Sequence, residues 1–179
     1  MATIKTVPPS VCSGSQSKGM PSIASMDVAG MRSRTLTTSG ESAPSITSVS
    51  ATGPNDALTF YSNWGTNEID VGAPGGGYET YEKTVDPEAD VEWPYPANLV
   101  LSTVPEDLYN ASYAYFAGTS NAAPQVVGTA ALVREVAPNA NARQVENAIK
   151  LGADLVNGRG DSELGAGRVN ARGALDAVR

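Results

Sequence analysis

The residues with the most chemical reach lie in one run, Gly118-Thr119-Ser120-Asn121-Ala122-Ala123-Pro124-Gln125-Val126-Val127-Gly128. A serine at the start of a helix sits beside free backbone N–H groups and the positive end of the helix dipole. Those groups can stabilise the oxyanion that forms when a serine oxygen attacks a carbonyl. The same serine is equally suited to capping the helix, a common task for serine at that place. Attack also needs a general base, and the chain contains His 0. Lysine can take that role in Ser–Lys enzymes, but Lys83 and Lys150 have no motif context for it. A second cluster is acidic. Asp86, Glu88, Asp90 and Glu92 alternate, so an extended strand puts the four carboxylates on one face. Such an array could hold calcium, a hard cation that takes oxygen ligands. It has no turn glycine and no fixed ligand spacing, so a solvated acidic loop fits it as well.

Both clusters depend on the elements that carry them. Ser120 to Ala137 is apolar nearly all round, which predicts a buried helix. Pro124 is tolerable only if that helix starts within a few residues before it, which sets the start near Thr119–Ser120. Asn141 with Gln144 three residues on is a capping-box arrangement, and Val145, Ala148, Ile149 and Gly152 give the second helix one apolar face. Asn170 caps a third short helix with Ala171, Ala174, Leu175 and Val178 at helical spacing. Upstream, Ile46–Ala51, Leu58–Tyr61, Ile69–Val71, Leu99–Val104 and Ser112–Ala117 read as strands. Gly53-Pro54-Asn55-Asp56 is a turn, and Ala73-Pro74-Gly75-Gly76-Gly77 breaks the pattern. Residues 78–96 are acidic and proline-punctuated, the mark of a surface insertion. Residues 1–44 carry loop chemistry, such as Pro8-Pro9 and Ser13-Gly14-Ser15, and read as a poorly ordered segment ahead of an ordered unit over 45–179. Strands followed by long helices point to a layered α/β architecture.

Composition narrows the function classes. A net charge of -7, from Lys+Arg 12 against Asp+Glu 19, argues against nucleic acid as a partner, because phosphate binding needs a basic face. An acidic surface with few lysines suits a high-salt medium as well as plain solubility. Cys12 is the one cysteine, which excludes an internal disulfide framework. No stretch approaches the ~20 apolar residues of a membrane span. The start of the chain lacks the apolar core of a secretory signal, so no export route is expected from the sequence as read.

The run from Gly118 to Gly128 resembles the serine motif of the subtilisin-like peptidases, in which Gly-Thr-Ser leads into a buried helix. Val49-Ser50-Ala51-Thr52-Gly53, Phe60-Tyr61-Ser62-Asn63-Trp64-Gly65 and Ile69-Asp70-Val71-Gly72-Ala73-Pro74-Gly75 are similar to the region that precedes this motif in the family. Pro138–Val145 and Gly165-Ala166-Gly167-Arg168-Val169-Asn170 are similar to its closing segment. The resemblance covers roughly residues 45–178, in family order, and is nearest in character to acidic, halophilic archaeal members. It implies the C-terminal portion of the subtilisin α/β fold, parallel-type strands with a buried central helix. It implies Ser120 as nucleophile, with Gly118, Thr119 and the Ser120 N–H forming the oxyanion-hole region. Calcium sites are common in the family, whose members are usually secreted.

Two positions depart from the family pattern: Asn121 replaces a methionine, and Gln125 replaces a histidine that packs rather than catalyses. The aspartate, the catalytic histidine and the oxyanion asparagine belong to family segments upstream of the resemblance. Thr38-Ser39-Gly40-Glu41 would align with the asparagine segment only with Glu41 in place of the amide, and a carboxylate repels an oxyanion. The expected function is therefore a serine endopeptidase fragment, inactive alone and acting on peptide or protein substrate only when an Asp- and His-bearing half complements it. The alternative is a non-catalytic homologue that serves as a binding module. Strands and a helix that lack part of their cover also predict self-association.

Overall fold

The computed structural model describes residues 4–6, 47–156, 158 and 160–179. Its elements in chain order are β1 (Ile4–Thr6), β2 (Val49–Thr52), β3 (Val71–Pro74), α1 (Tyr81–Val85), β4 (Val100–Thr103), α2 (Glu106–Tyr109), β5 (Tyr113–Phe116), α3 (Thr119–Val136), α4 (Ala142–Leu151) and α5 (Ala171–Asp176). This is the mixed α/β architecture the sequence predicts. Most of the 1–44 segment and the Glu41 alignment lie outside the described residues. Ile4–Thr6 is the exception, a strand within the segment expected to be poorly ordered.

β2 and β3 pair in parallel, with Val49 opposite Val71 and Thr52 opposite Pro74. Residues 166–169 run along β3: Gly72 N–H donates to Gly167 O at 2.9 Å and Val169 N–H to Gly72 O at 2.8 Å. The other sheet has the order β1-β5-β4. There β1 is parallel to β5, like β2 and β3, while β4 and β5 are antiparallel, an addition to the expected parallel-type strands. The short α2 connection joins them as neighbours running in opposite directions, and only a long crossover could make them parallel.

Three local expectations change. β3 runs on through Ala73 and Pro74 rather than breaking there. Pro74 is the last residue of the strand, a place that tolerates its missing N–H. Leu58–Tyr61 is not a strand. Leu58 makes an isolated bridge to Thr52, and Thr59 N–H donates to Ala51 O at 3.1 Å before the chain turns away. The 78–96 insertion holds a short helix, α1, where Thr80 Oγ1 accepts the Lys83 N–H at 3.2 Å.

The core is built from small side chains. Ala51, Val71 and Ala73 of the sheet pack with Ala122, Val126 and Val133 of α3, Val145, Ala148 and Ile149 of α4, and Ala174 of α5. Burying each valine or isoleucine contributes roughly 1.5–3 kcal/mol. Both expected caps form. Asn141 Oδ1 accepts the Gln144 N–H at 3.0 Å while Gln144 Oε1 accepts the Asn141 N–H at 2.8 Å, and Asn170 Oδ1 accepts the Gly173 N–H at 3.0 Å.

α3 is not buried all round. Ala122, Val126, Thr129 and Val133 form its covered face. Ala123, Pro124, Val127, Gly128 and Ala131 are exposed, with Val127 at 68%. Two sheet strands and two helices cover one side of the cylinder, so the second apolar face meets solvent.

Candidate active site

Ser120 stands on the first turn of α3, exposed, one residue into the helix. The helix is capped at Gly118, in extended backbone, so Ser120 is not the capping residue. Its hydroxyl has no hydrogen-bond partner among the described residues. A side chain at Gly118 would place its Cβ 3.0 Å from Ser120 Oγ, so glycine keeps the space beside the hydroxyl open. Asn121 N–H turns back to Gly118 O at 2.9 Å. The amide groups of Thr119 and Ser120 lie in the opening turn, where no carbonyl four residues back belongs to the helix. They carry the positive end of an 18-residue helix.

The loop after β3 supports this turn from below. Gly118 N–H donates to Gly75 O at 3.0 Å. A Cβ on Gly75 would lie 2.5 Å from Ala51 Cβ and 3.0 Å from Gly118 O, so only glycine lets the two segments touch. Gly75 N–H in turn donates to Thr52 O at 2.9 Å, and the Tyr61 hydroxyl donates to Gly76 O. Sequence reading treats this glycine run as a break in a strand pattern. Its supporting role becomes visible only when residue 75 is seen against residue 118. A run of glycines directly after a strand was the available signal, because backbone can approach backbone closely there.

Gln125 adds a second tie. Its side-chain amide donates to Pro74 O at 2.6 Å and to Asn121 O at 3.2 Å. The helix start agrees with expectation, but Pro124 lies five residues past it and well inside the helix. It therefore cannot donate the usual bond to Ser120 C=O, a cost that a proline within the first turn would not carry.

Neither lysine is placed as a base. Lys83 pairs with Glu79 at 3.6 Å. Lys150 is held by Asp70 at 2.5 Å and Glu146 at 2.7 Å. Burial works against the Lys150 charge, but hydrogen bonds to Asp70 and Glu146 outweigh it and push its pKa above the ordinary lysine value. A base would need the opposite shift.

The acidic quartet is not assembled. Asp86 follows α1, and residues 86–92 are turns and bends rather than an extended strand, so the alternation does not translate into a shared face. Asp86 Oδ1 accepts the Glu88 N–H at 2.9 Å, which uses that carboxylate to hold the local turn. Among the described residues no three acidic, cysteine or histidine groups gather as a metal site. No described helix is long and apolar enough to cross a membrane.

Residues 12–167 match the subtilase family. The chain belongs to that family. The match begins well before residue 45, where the sequence resemblance begins, so the family relation reaches into the N-terminal segment. An extracellular protease of Xanthomonas campestris pv. campestris is 36% identical over 137 residues, 74% of this chain and 20% of that protein. A lanthipeptide protease of known structure is 34% identical, with a TM-score of 0.56 over 74% of this chain and 41% of its own. The epidermin leader peptide processing serine protease of Staphylococcus aureus is 26% identical, with a TM-score of 0.58 over 73% of this chain and 30% of its own. This subtilase chain thus spans less than half the length of these relatives. Its described part has the fold of the corresponding part of subtilisin-like proteases.

Proposed function

We propose that this chain supplies the nucleophile-bearing part of a serine endopeptidase, with Ser120 attacking the peptide carbonyl. The observation that carries this reading is the exposed Ser120 hydroxyl on the first turn of α3, unpartnered among the described residues and framed by Gly118 and Gly75. The Ser120 N–H, flanked by Thr119, is oriented by the helix start to take up negative charge on the tetrahedral intermediate. The serine proton must go to a base, and the chain has His 0, so the Asp–His pair comes from a separate segment. That segment would cover the exposed apolar face of α3, which begins at Ser120 and continues through Ala123, Val127 and Ala131. The chain alone is inactive and self-associates through that face. The acidic, lysine-poor surface suits a saline environment, and export would follow the relative named an extracellular protease.

The absence of histidine equally favours a second reading, a non-catalytic subtilase homologue whose open α3 face binds a partner. Mixing the chain with an Asp- and His-bearing subtilase segment and measuring casein hydrolysis separates the two. Hydrolysis that requires both segments and disappears in Ser120→Ala supports the peptidase. A stable complex that hydrolyses nothing supports the binding module.

A further inference from the structure

We propose that Gln125 is a positioning residue that holds the Ser120 turn against the end of β3, a role that rests on the peptidase reading of Ser120. The argument begins with Pro124. An α-helix is held by one N–H to C=O bond per residue, and proline has no N–H to give. The rung that would close on Ser120 C=O is therefore missing, and the proline ring crowds that same carbonyl. The weakened place is the turn that carries the nucleophile.

The next residue compensates for the gap. Gln125 has two amide hydrogens, and the structure uses both. One reaches Pro74 O at 2.6 Å and the other reaches Asn121 O at 3.2 Å. Pro74 and Asn121 are the neighbours of Gly75 and Ser120. Gly75 O itself accepts the Gly118 N–H at 3.0 Å. The turn 118–121 is thus tied to the strand end 74–75 at two points, one through backbone and one through Gln125. A shift of about 1 Å in a nucleophile can cost on the order of a hundredfold in rate, so this second tie matters to the reaction. Glutamine suits the place because both acceptors are carbonyl oxygens and an amide group can serve two of them at once.

Amide hydrogen exchange on the full chain tests this without passing through catalysis. In Gln125→Leu, exchange at Gly118 and Asn121 should speed up by about tenfold, the scale of one or two lost hydrogen bonds. Ala137, whose N–H donates to Val133 O at 2.8 Å near the other end of α3, should not change. Gln125→His, which keeps a ring N–H donor, should restore part of the protection. Pro124→Ala combined with Gln125→Leu should also restore it, by returning the missing rung. Unchanged exchange at Gly118 and Asn121 in Gln125→Leu overturns the proposal. So does equal acceleration at Ala137, or failure of both restoring variants, because Gln125 would then be a general packing residue. If the peptidase reading fails, the exchange pattern survives; if this proposal fails, the pattern goes and casein hydrolysis by the complemented chain remains.

Discussion

The turn around Ser120 and the acidic segment 86–92 both attract attention by residue type, and only one of them is assembled. Around Ser120, residues far apart in sequence converge: Gly75 contacts Gly118, and Gln125 reaches Pro74 across 51 positions. In the acidic segment the carboxylates follow local turns, and Asp86 Oδ1 accepts the N–H of Glu88 two residues on. The serine sits on an element whose position is fixed by its burial. Ala122, Val126 and Val133 anchor α3 on the sheet, so the first turn has nowhere else to go. The carboxylates sit on chain that buries only Thr84 of α1 and little beyond it. A pattern of chemical groups becomes a site where packed elements hold it from several directions, and alternation along one exposed segment does not supply that.

The largest effect that would break this contrast concerns the serine itself. In the chain complemented by an Asp–His segment, Ser120→Ala should lower kcat by on the order of 10⁴-fold or more. A loss of less than tenfold would remove Ser120 from the reaction. The next effect is steric. Gly75→Val should destabilise the fold by about 1–3 kcal/mol, the usual cost of overpacking, because even its Cβ meets Ala51. Urea titration reads this directly, and a neutral result would show that the 75–118 contact is slack.

Capping comes third. Asn141→Ala should cost about 1 kcal/mol, seen as a lowered Tm, since it removes one half of the α4 capping box and frees the other. The smallest effect belongs to the acidic segment. Neutralising Asp86, Glu88, Asp90 and Glu92 together, as Asn or Gln, should change stability by less than about 0.5 kcal/mol per site. Calcium should leave the difference in Tm between the original chain and this variant unchanged. A calcium-dependent rise lost in the variant would turn the acidic segment into a site and dissolve the contrast.

An acid titration adds a check on the C-terminal frame. Asn170 and then Arg168 donate to the Asp154 carboxylate and hold its pKa below the ordinary aspartate value. A depressed folded-state pKa means the unfolded chain takes up the proton first as pH falls. The stabilisation is therefore complete above the ordinary aspartate pKa of about 3.9 and is lost as pH falls through the lowered value. Asp154→Asn should flatten the stability curve in that acid window and lower the plateau above it, so that the two curves converge at low pH.

These contrasts also show what the sequence could reveal. The start of α3 was legible because Gly118, Ser120 and Pro124 bracket it within seven residues. The capping box of α4 and the Asn170 cap were legible for the same reason, since each is a contact between residues three apart. The exposure of Val127 and Leu132 was not legible. An all-apolar helix states that it can be buried on every side, while the neighbours decide how many sides are covered. α1 was hidden by its acidic, proline-punctuated surroundings, although Thr80 three residues before Lys83 was the cap signal. The Gln125 to Pro74 bond and the Gly75 to Gly118 contact depend on chain crossings that no local window contains. The acidic quartet failed because period-two alternation has meaning only in a strand, and the segment turns instead.

The proposal that Ser120 is a positioned nucleophile awaiting a base is tested most directly by labelling with a fluorophosphonate probe in the presence of added imidazole. Intact-mass and peptide analysis would follow modification at Ser120 with Ser120→Ala as the control. Without imidazole, labelling at Ser120 should be slow, because an unactivated hydroxyl is a weak nucleophile at neutral pH. With imidazole as an external base, labelling should rise with its concentration and concentrate at Ser120 over the other exposed serines, since among the described serines Ser120 alone has helix-start N–H groups to stabilise the developing charge. Rapid stoichiometric labelling without imidazole would contradict the missing base. Labelling with imidazole that is no faster at Ser120 than at other serines would contradict the positioned nucleophile.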